Sequence, residues 1–421
     1  MWQYFEAKNV LITGASGFLG TALVYRILTK APIAHIYLIT RGGQAHLFEQ
    51  WSKWLPPSVM KDFLNPAIIT VMEGDILKNH IGLGEKDRET LRRKVHVIIH
   101  AASSITLSPS LFKVSDSIIQ ASVRVATYAL KFENFERFVY VSTAYANTHL
   151  YQESHLFDVP INESIYPLSA QTDRTSREFE DIVNHLSPLE LKEHDFPWPY
   201  AYCKHLTERL LIKIFENSEK LLILRPSVVG PAQNFPFPGF CVPMSSPCTV
   251  AAASLALTPE FTMKISTRSL SPETEATADE VPVDVVVDRL LFHLAQGTSG
   301  PVHAVSGVRG RIPFRVFWEQ STRTRRIPWQ LRPRWTRVHW HSSELHPISA
   351  LYVLIGCSFL FSEEKTCNLL GSLGENYKSE LQLFTTTPGI EVDFATRSHH
   401  VRYCKNQISG TNIWTWILAA L

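Results

Sequence analysis

The sequence has few cysteines, no long apolar run and almost no excess of charge of either sign. Its six cysteines, among 421 residues, stand at irregular spacings, which excludes the disulfide framework of small secreted domains and favours a reducing compartment. The amino-terminal stretch MWQYFEAKNV has no cationic part followed by an apolar one, so no signal peptide is predicted. We therefore expect an intracellular protein, cytoplasmic or peripherally associated with an organelle membrane, and not a secreted one.

Two apolar stretches come nearest to a membrane segment. The first, ISALYVLIGCSFLF, covers residues 348–361, whereas a helix that crosses a bilayer needs about 20 residues. The second, NIWTWILAAL, is shorter still. Neither predicts a span, but this apolar carboxyl-terminal region could contact a membrane surface peripherally or close over an apolar substrate.

The balance of charge argues against nucleic acid as a partner. The sequence has 41 basic and 39 acidic residues, a net charge of +2, so no field over the whole molecule would attract a polyanion. Residues 309–340 interleave Arg and Trp, and we interpret them as a partly exposed linker with a face for phosphate groups or anionic lipid. The 17 histidines show no metal-ligand spacing, and no metal site is predicted.

Short β-branched runs alternate with helical patterns in the first half of the chain. Each run is nearly continuous in apolar residues, as buried parallel strands are. Helical patterns fill the gaps, for instance at residues 117–134. This alternation predicts an α/β fold with a Rossmann-type, doubly wound parallel sheet. The predicted strands are 10–13, 36–40, 68–71, 95–102, 138–143 and 221–224.

Three glycines follow the first predicted strand directly. In TGASGFLG, residues Gly14, Gly17 and Gly20 fall at a turn from strand to helix. Glycine at such a turn permits a tight bend, a close approach of the backbone to a pyrophosphate, and close packing of the helix on the sheet. The spacing is a variant of the usual dinucleotide fingerprint, and it predicts a nucleotide site here.

The residues that follow later strands favour NADPH as the cofactor. Arg41 stands about 20 residues past the glycines, where an NAD enzyme carries an acid, and a cation there suits a 2′-phosphate. Asp75, after the third strand, is placed to reach the adenine edge, and two alanines after the fourth offer a small surface for the cofactor. The predicted cofactor-binding residues are Thr13, Gly14, Ser16, Gly17, Phe18, Leu19, Gly20, Arg41, Asp75, Ile76, Ala101, Ala102, Tyr200 and Lys204.

A tyrosine and a lysine on one predicted helix form the candidate proton-donating pair. Because residues four apart share a helix face, Tyr200 meets Lys204 in PWPYAYCKHLTE, whereas Tyr202 points away. A nearby ammonium favours the phenolate, so the pairing predicts a tyrosine pKa below its usual value of about 10.

Taken in order, these motifs resemble those of a known superfamily. TGASGFLG, EGDI, HAA, VSTAYAN, Y-x-x-x-K and LRPSVVGP are similar to the motifs of the extended short-chain dehydrogenase/reductases. Within that superfamily the chain most resembles the fatty acyl-CoA reductases, also called male-sterility-type proteins. That narrower likeness rests on IYLITR, VSTAYAN, LRPSVVGP with PFPGF, and ADEVPVDVVVDRLL.

The resemblance implies both a domain plan and a catalytic set. Residues 1–308 would form the NAD(P)-binding and substrate domain, with the substrate lobe mainly at 227–308. The linker 309–340 would lead to a smaller, mainly helical region at 341–421. The implied catalytic residues are Thr143, Tyr200 and Lys204, with Ser142 as the less favoured hydroxyl and Tyr202 as a packing residue. The register also places Ile118 where relatives usually carry an asparagine that helps to order a proton-relay water.

The implied activity is the NADPH-dependent reduction of a long-chain fatty acyl-CoA, or a similar acyl thioester, to a fatty alcohol through an aldehyde. The aromatic loop 234–243 would line an apolar substrate site or, equally, pack as core. One alternative is a thioester reductase that releases a polyketide or peptide from a carrier protein. A second, from a different class, is a non-enzymatic NADP-binding sensor. A sugar or sterol dehydrogenase or epimerase is a third, and PFPGF counts against sugars.

Overall fold

A seven-stranded parallel sheet forms the centre of the computed structural model, which describes residues 1–63, 67–107, 110–154, 156–169, 172–371, 380–386 and 394–409. In the labels given below, the strand order across the sheet is β12-β7-β5-β4-β1-β2-β3. The order reverses between β1 and β4, and this reversal opens a crevice at the carboxyl ends of the strands.

Fifteen strands occur in the described residues. They are β1 Asn9–Thr13, β2 His35–Thr40, β3 Ile69–Glu73, β4 Val97–His100, β5 Arg137–Val141, β6 Asp158–Ile161, β7 Leu221–Pro226, β8 Val228–Gly230, β9 Thr262–Ser266, β10 Thr277–Ala278, β11 Glu280–Pro282, β12 Gly300–Ala304, β13 Ile312–Pro313, β14 Arg332–Thr336 and β15 Ser358–Phe361.

The α-helices alternate with the central strands and continue beyond them. They are α1 Phe18–Lys30, α2 Gly43–Trp54, α3 Pro57–Met60, α4 Glu85–Lys94, α5 Leu111–Ser115, α6 Ala121–Ala129, α7 Leu150–Glu153, α8 Thr175–Val183, α9 Leu189–Glu193, α10 Pro199–Ile214, α11 Pro247–Leu257, α12 Pro272–Glu275, α13 Val283–Ala295, α14 Gly307–Gly310, α15 Phe314–Thr322, α16 Pro347–Leu351, α17 Glu364–Leu370 and α18 Phe394–Ser409.

The two faces of the sheet bury alternate residues of each strand. In β1, Val10 and Ile12 pack into one core with α1 and α13, whereas Leu11 packs into another with α4, α6 and the end of α10. Helices therefore cover both faces, which explains why the strands read as continuous apolar runs. The predicted doubly wound sheet is confirmed.

All six predicted strands are present, and β12 adds a seventh that the sequence patterns did not indicate. The helix predicted at 117–134 differs in detail. A π-helical turn, Asp116–Gln120, precedes α6, and α6 ends at Ala129, because the chain must turn there to enter β5.

Four small sheets build the lobe beyond the central sheet. β8 pairs with β11, β9 with β14 and β6 with β15 in parallel, while β10 and β13 are antiparallel. Residues 309–340 contribute α15 and β14 to this lobe, so they form regular structure rather than an extended connection. The described part of 341–421 contains strand β15 beside its helices. The domain boundaries themselves stay predictions.

The apolar stretch 348–361 lies mainly in the interior. Ile348, Leu351, Val353, Phe359 and Phe361 are buried, which accounts for its composition by core packing rather than by contact with a membrane. The other apolar stretch, 412–421, lies outside the described residues. In the described part of the chain, no helix combines the length and the apolar character needed to cross a bilayer.

Candidate active site

The glycine turn closes tightly against the end of the neighbouring strand. Gly14 has a φ of +84°, and a Cβ atom there would lie 2.7 Å from the backbone nitrogen of Ala102. A Cβ atom on Gly20 would lie 2.0 Å from the carbonyl oxygen of Gly14. Only glycine fits at either position, because both contacts are with backbone atoms, and at Gly14 an L-residue would also have to adopt a disfavoured positive φ. The turn thus brings the start of α1 to the crevice between β1 and β4, as a dinucleotide site requires.

A chain of hydrogen bonds ties this turn to the π-helical turn. The Ala102 amide donates to Thr13 Oγ1 (3.3 Å), which lies 2.7 Å from His100 Nδ1. His100 Nε2 lies 3.1 Å from Ser122 Oγ, which donates to the carbonyl of Ile118 (2.6 Å). Burial lowers the pKa of His100 to about 3, so the ring is neutral and its Nε2 carries the proton donated to Ser122. The side-chain polar atoms of Thr13, His100 and Ser122 therefore all have hydrogen-bond partners.

This network changes the role expected of Thr13. The residue is fully buried and its hydroxyl is engaged by His100, so the side chain holds the turn in place rather than facing the crevice. Phe18 is also buried, against Phe240 at a ring distance of 5.5 Å. Ser16, Gly17 and Leu19 keep partial or full exposure at the start of α1.

The remaining predicted cofactor residues stand at strand ends. Arg41 follows β2 and is exposed, and its guanidinium has neither a hydrogen bond nor an ion pair with any described residue. Asp75, after β3, caps its own loop by accepting a hydrogen bond from the Leu77 amide (3.0 Å), and Ile76 packs partly on the core. Ala101 and Ala102 are half-buried at the end of β4. These residues follow the carboxyl ends of β2, β3 and β4, and their contact with a cofactor stays a prediction.

Tyr200 and Lys204 share one face of α10, which begins at Pro199. Lys204 is 2 % exposed, and its Nζ donates to the carbonyl of Val141 (2.9 Å) at the end of β5. The same nitrogen lies 6.0 Å from the centroid of the Tyr200 ring and 5.0 Å from that of Tyr140. The helix therefore brings the two residues together as their spacing predicts.

The pKa of Tyr200 runs against the sequence-based expectation. Burial raises it to about 12, and a hydrogen bond from Thr143 opposes that rise only in part. The predicted lowering of the pKa by Lys204 is therefore wrong for this arrangement, because desolvation of the phenolate outweighs a cation held against a backbone carbonyl. Tyr200 is protonated at neutral pH, which is the form that can donate a proton.

The structure separates the two candidate hydroxyls at the end of β5. Thr143 Oγ1 accepts from the amide of Tyr145 (3.3 Å) at the start of a 3₁₀ turn and donates to the carbonyl of Pro226 (3.4 Å), and its proximity opposes the rise in the pKa of Tyr200. Ser142 Oγ donates to Glu208 Oε1 (2.5 Å) on the side away from Tyr200. Of the two hydroxyls, Thr143 is therefore the one beside Tyr200, and its catalytic role stays a prediction.

Tyr202 turns into the interior. It is fully buried, and its hydroxyl donates to Glu178 Oε2 (2.7 Å), which also pairs with Arg209 (2.6 Å). Tyr202 packs on the lobe side of α10 and has no role beside Tyr200.

Sequence reasoning missed two residues that support this site. Glu208 lies one turn beyond Lys204 on the same face of α10, and it pairs with Arg225 at the end of β7. Burial lowers the pKa of Lys204 to about 7, while the Glu208 carboxylate opposes that shift. The four-residue spacing from Lys204 was the available signal for Glu208. The arginine of LRPSVVGP had no such signal.

The aromatic loop 234–243 favours core packing over an open substrate wall. Phe235 and Phe240 are buried in the central core, and the Arg26 guanidinium lies 4.5 Å over the Phe235 ring. Asp284, in the ADEVPVDVVVDRLL motif, accepts hydrogen bonds from the backbone amides of residues 233–235, so it holds this loop rather than acting in catalysis.

In the described ranges, no group of three or more His, Cys, Asp or Glu side chains could hold a metal ion.

Comparison with known proteins identifies the family that this chain resembles in sequence. The family model described as "Male sterility protein" matches residues 12–290. A putative fatty acyl-CoA reductase of Drosophila melanogaster is 28% identical over 299 residues, covering 69% of this chain and 55% of that protein. Fatty acyl-CoA reductase 1 of Mus musculus is 29% identical over 302 residues, with the same two coverages. The chain thus spans about half the length of the curated relatives it matches.

Solved structures share the fold at low sequence identity. The terminal reductase domain of the myxalamid biosynthetic pathway has a TM-score of 0.59 at 14% identity, over 94% of this chain and 90% of that one. An enzyme of Bordetella bronchiseptica, solved with NADH, has a TM-score of 0.52 at 13% identity, over 97% of this chain and 98% of that one. The family match, with the glycine turn at the β1–β4 crevice, supports a nicotinamide dinucleotide as the cofactor.

Proposed function

This chain belongs to the male sterility protein family of fatty acyl-CoA reductases, and from that premise we propose that it reduces a long-chain acyl thioester, first of all a fatty acyl-CoA, with NADPH. The product would be a fatty alcohol formed through an aldehyde. The observation that carries the proposal is that α10 holds the Lys204 ammonium 6.0 Å from the Tyr200 ring and against the carbonyl of Val141, at the end of β5 that leads to Thr143.

The two hydroxyls suit the chemistry of a thioester carbonyl. The nicotinamide, when bound, supplies the hydride. Thr143 and Tyr200 can both donate hydrogen bonds to the carbonyl oxygen, which becomes negative as the carbonyl is reduced. Tyr200 holds its proton at neutral pH and can pass it to the aldehyde oxygen in the second reduction. Lys204, fixed by Val141, would favour the phenolate that remains.

The preference for NADPH rests on Arg41. Its guanidinium is exposed at the end of β2 without a partner among the described residues, where it can pair with a 2′-phosphate. Gly14, Gly17, Gly20 and the first turn of α1 would hold the pyrophosphate.

We also propose an intracellular location, because all six cysteines are unpaired.

The test is to incubate the purified protein with palmitoyl-CoA and NADPH, following NADPH absorbance and extracting the lipid products. We expect fatty alcohol from the wild type and a loss of at least about 100-fold in Tyr200→Phe. Tyr202→Phe is the matched control, because it removes a hydroxyl from the opposite side of the same helix. Binding of NADPH without turnover of palmitoyl-CoA would contradict the proposal and favour a carrier-bound thioester or a sensor.

A further inference from the structure

A cavity of about 190 Å³ lies outside the proposed active site, at the carboxyl ends of β9 and β14. We call it the Arg268–Arg337 cavity after the two arginines that line it. Residues 266–268 begin at the last residue of β9 and residues 337–340 follow β14, so the parallel pairing of these strands brings the two segments together. The volume exceeds that of several water molecules, each of which takes about 30 Å³.

The cavity has a basic rim and an aromatic floor. Arg337 is exposed and has no hydrogen bond or ion pair with the described residues. Arg268 donates to the carbonyl of Tyr151 and to Gln152, and its guanidinium lies 4.6 Å over the Tyr151 ring. Tyr151 and Trp340, both 3 % exposed, stack at a ring distance of 5.8 Å.

The two guanidinium groups keep their positive charge available. No carboxylate of the described residues lines the cavity or pairs with either arginine. The Asp195 carboxylate does not line the cavity but contacts two side chains that do, since it accepts from Trp340 Nε1 (3.0 Å) and lies 2.5 Å from His339 Nε2. Paired guanidinium groups without a carboxylate are the usual recognition elements for a phosphate.

The same charge continues along the adjoining sheet face. Arg332 and Arg334 are exposed and alternate with half-buried neighbours on β14, and neither guanidinium has a hydrogen bond or ion pair with a described residue. Lys264 stands opposite Arg334 on β9, where it pairs with Glu344 (2.8 Å). An anion that approached this face would meet positive charge up to the mouth of the cavity.

The floor connects the cavity to the region around Tyr200. Tyr151 and Trp340 belong to the same packed cluster as Trp198 and Tyr202, and Tyr200 packs against that cluster. Asp195, which holds Trp340, precedes α10 in the chain by only a few residues. A ligand in the cavity would therefore lie on the same lobe as the proposed reaction site.

We propose that the Arg268–Arg337 cavity binds a phosphate group of the thioester's carrier, so that the phosphorylated end of a CoA substrate is held there while its acyl end reaches Tyr200. This inference rests on the proposed function. Its chemistry is that of a phosphate monoester or diester, in which Arg337 and Arg268 would donate to the phosphate oxygens and Trp340 would support the adjoining organic part.

The first experiment measures binding without turnover. Titration of free CoA into the full-length protein by calorimetry should give a Kd that rises roughly tenfold in Arg337→Ala and recovers in Arg337→Lys. Arg323→Ala is the control, because Arg323 is an exposed arginine directly after α15, and this variant should leave the Kd unchanged. NADPH should bind all four proteins equally. A shift in the NADPH Kd would overturn the proposal, because the cavity would then serve the dinucleotide.

The second experiment compares palmitoyl-CoA with the phosphate-free palmitoyl thioester of N-acetylcysteamine. In Arg337→Ala the KM for palmitoyl-CoA should rise roughly tenfold at constant kcat, with no change for the phosphate-free thioester. Equal effects on both thioesters, or none on either, would overturn the inference. If neither thioester is reduced by the wild type, the proposed function fails, while the CoA titration still decides whether the cavity binds a phosphate.

Discussion

Glu208 and Arg225 form a fully buried ion pair directly behind Lys204. Arg225 Nε lies 2.9 Å from Glu208 Oε1, and Nη2 lies 2.5 Å from Oε2. Ser142 and the carbonyl of Ser164 complete the hydrogen bonding of the pair. Because Glu208 stands one turn from Lys204 on α10, its charge helps to keep the lysine protonated in the interior. Glu208 is therefore a positioning residue for the proposed site.

We expect Glu208→Gln to shift the pH dependence of the reduction. Loss of the carboxylate would lower the pKa of Lys204 further, so activity that needs the ammonium should decline at a pH lower by about one unit. The profile of kcat/KM against pH measures this. The variant should also lose about 3–5 kcal/mol of unfolding free energy, since it leaves Arg225 buried without its partner.

Glu178→Gln is the matched control for that experiment. Glu178 is equally buried, pairs with Arg209 and packs on the same helix, but it faces Tyr202 rather than Lys204. Glu178→Gln should lower the unfolding free energy by a similar amount and leave the profile of kcat/KM against pH unchanged. Equal shifts of the profile in both variants would remove the specific role of Glu208.

The lysine itself should make stability depend on pH. Its folded pKa is about 7 against an ordinary value of 10.5, so between these values the unfolded chain holds a proton that the folded chain does not. Unfolding free energy should therefore rise with pH across this window, by roughly 3–5 kcal/mol. Urea denaturation of the wild type and of Lys204→Met, at both ends of this pH window, measures the unfolding free energy. The variant should lack the rise with pH that the wild type shows. If the unfolding free energy depended on pH equally in both proteins, Lys204 would not be a buried lysine that loses its proton in this window.

Arg41→Ala should change the choice of cofactor. The variant loses the cation at the end of β2, so the Kd for NADPH should rise by about 10- to 100-fold while that for NADH stays nearly constant. Fluorescence titration of each dinucleotide gives both values. If the Kd values for NADPH and NADH rose equally, Arg41 would contact a group that the two cofactors share rather than the 2′-phosphate.

Gly14→Ala should disrupt the turn itself. A Cβ there meets the backbone of Ala101 and Ala102 at under 3 Å and imposes a left-handed φ on alanine. We expect a loss of more than about 1 kcal/mol in unfolding free energy, together with weaker NADPH binding. Gly84→Ala is the control, because a Cβ at Gly84 has no neighbour within 4 Å and its φ is −67°. Normal cofactor binding by Gly14→Ala would contradict a tight turn at the crevice.

The sequence by itself determined the features that depend on local spacing. Short apolar runs rich in β-branched residues predict six of the seven central strands, because parallel strands that are buried on both faces need continuous apolar runs. The glycine spacing after β1 predicts the turn, and the interval between Tyr200 and Lys204 predicts their shared helix face. Each of these relations holds within a few residues of chain.

Only the tertiary structure decided the relations between distant segments. It directs Ser142 to Glu208 and leaves Thr143 for Tyr200, and it buries Tyr200 enough to raise its pKa instead of lowering it. It also joins residues 266–268 to 337–340 in one cavity, although about 70 residues separate them. Burial, charge pairing and cavity shape arise where elements far apart in the chain meet, so no local pattern carries them.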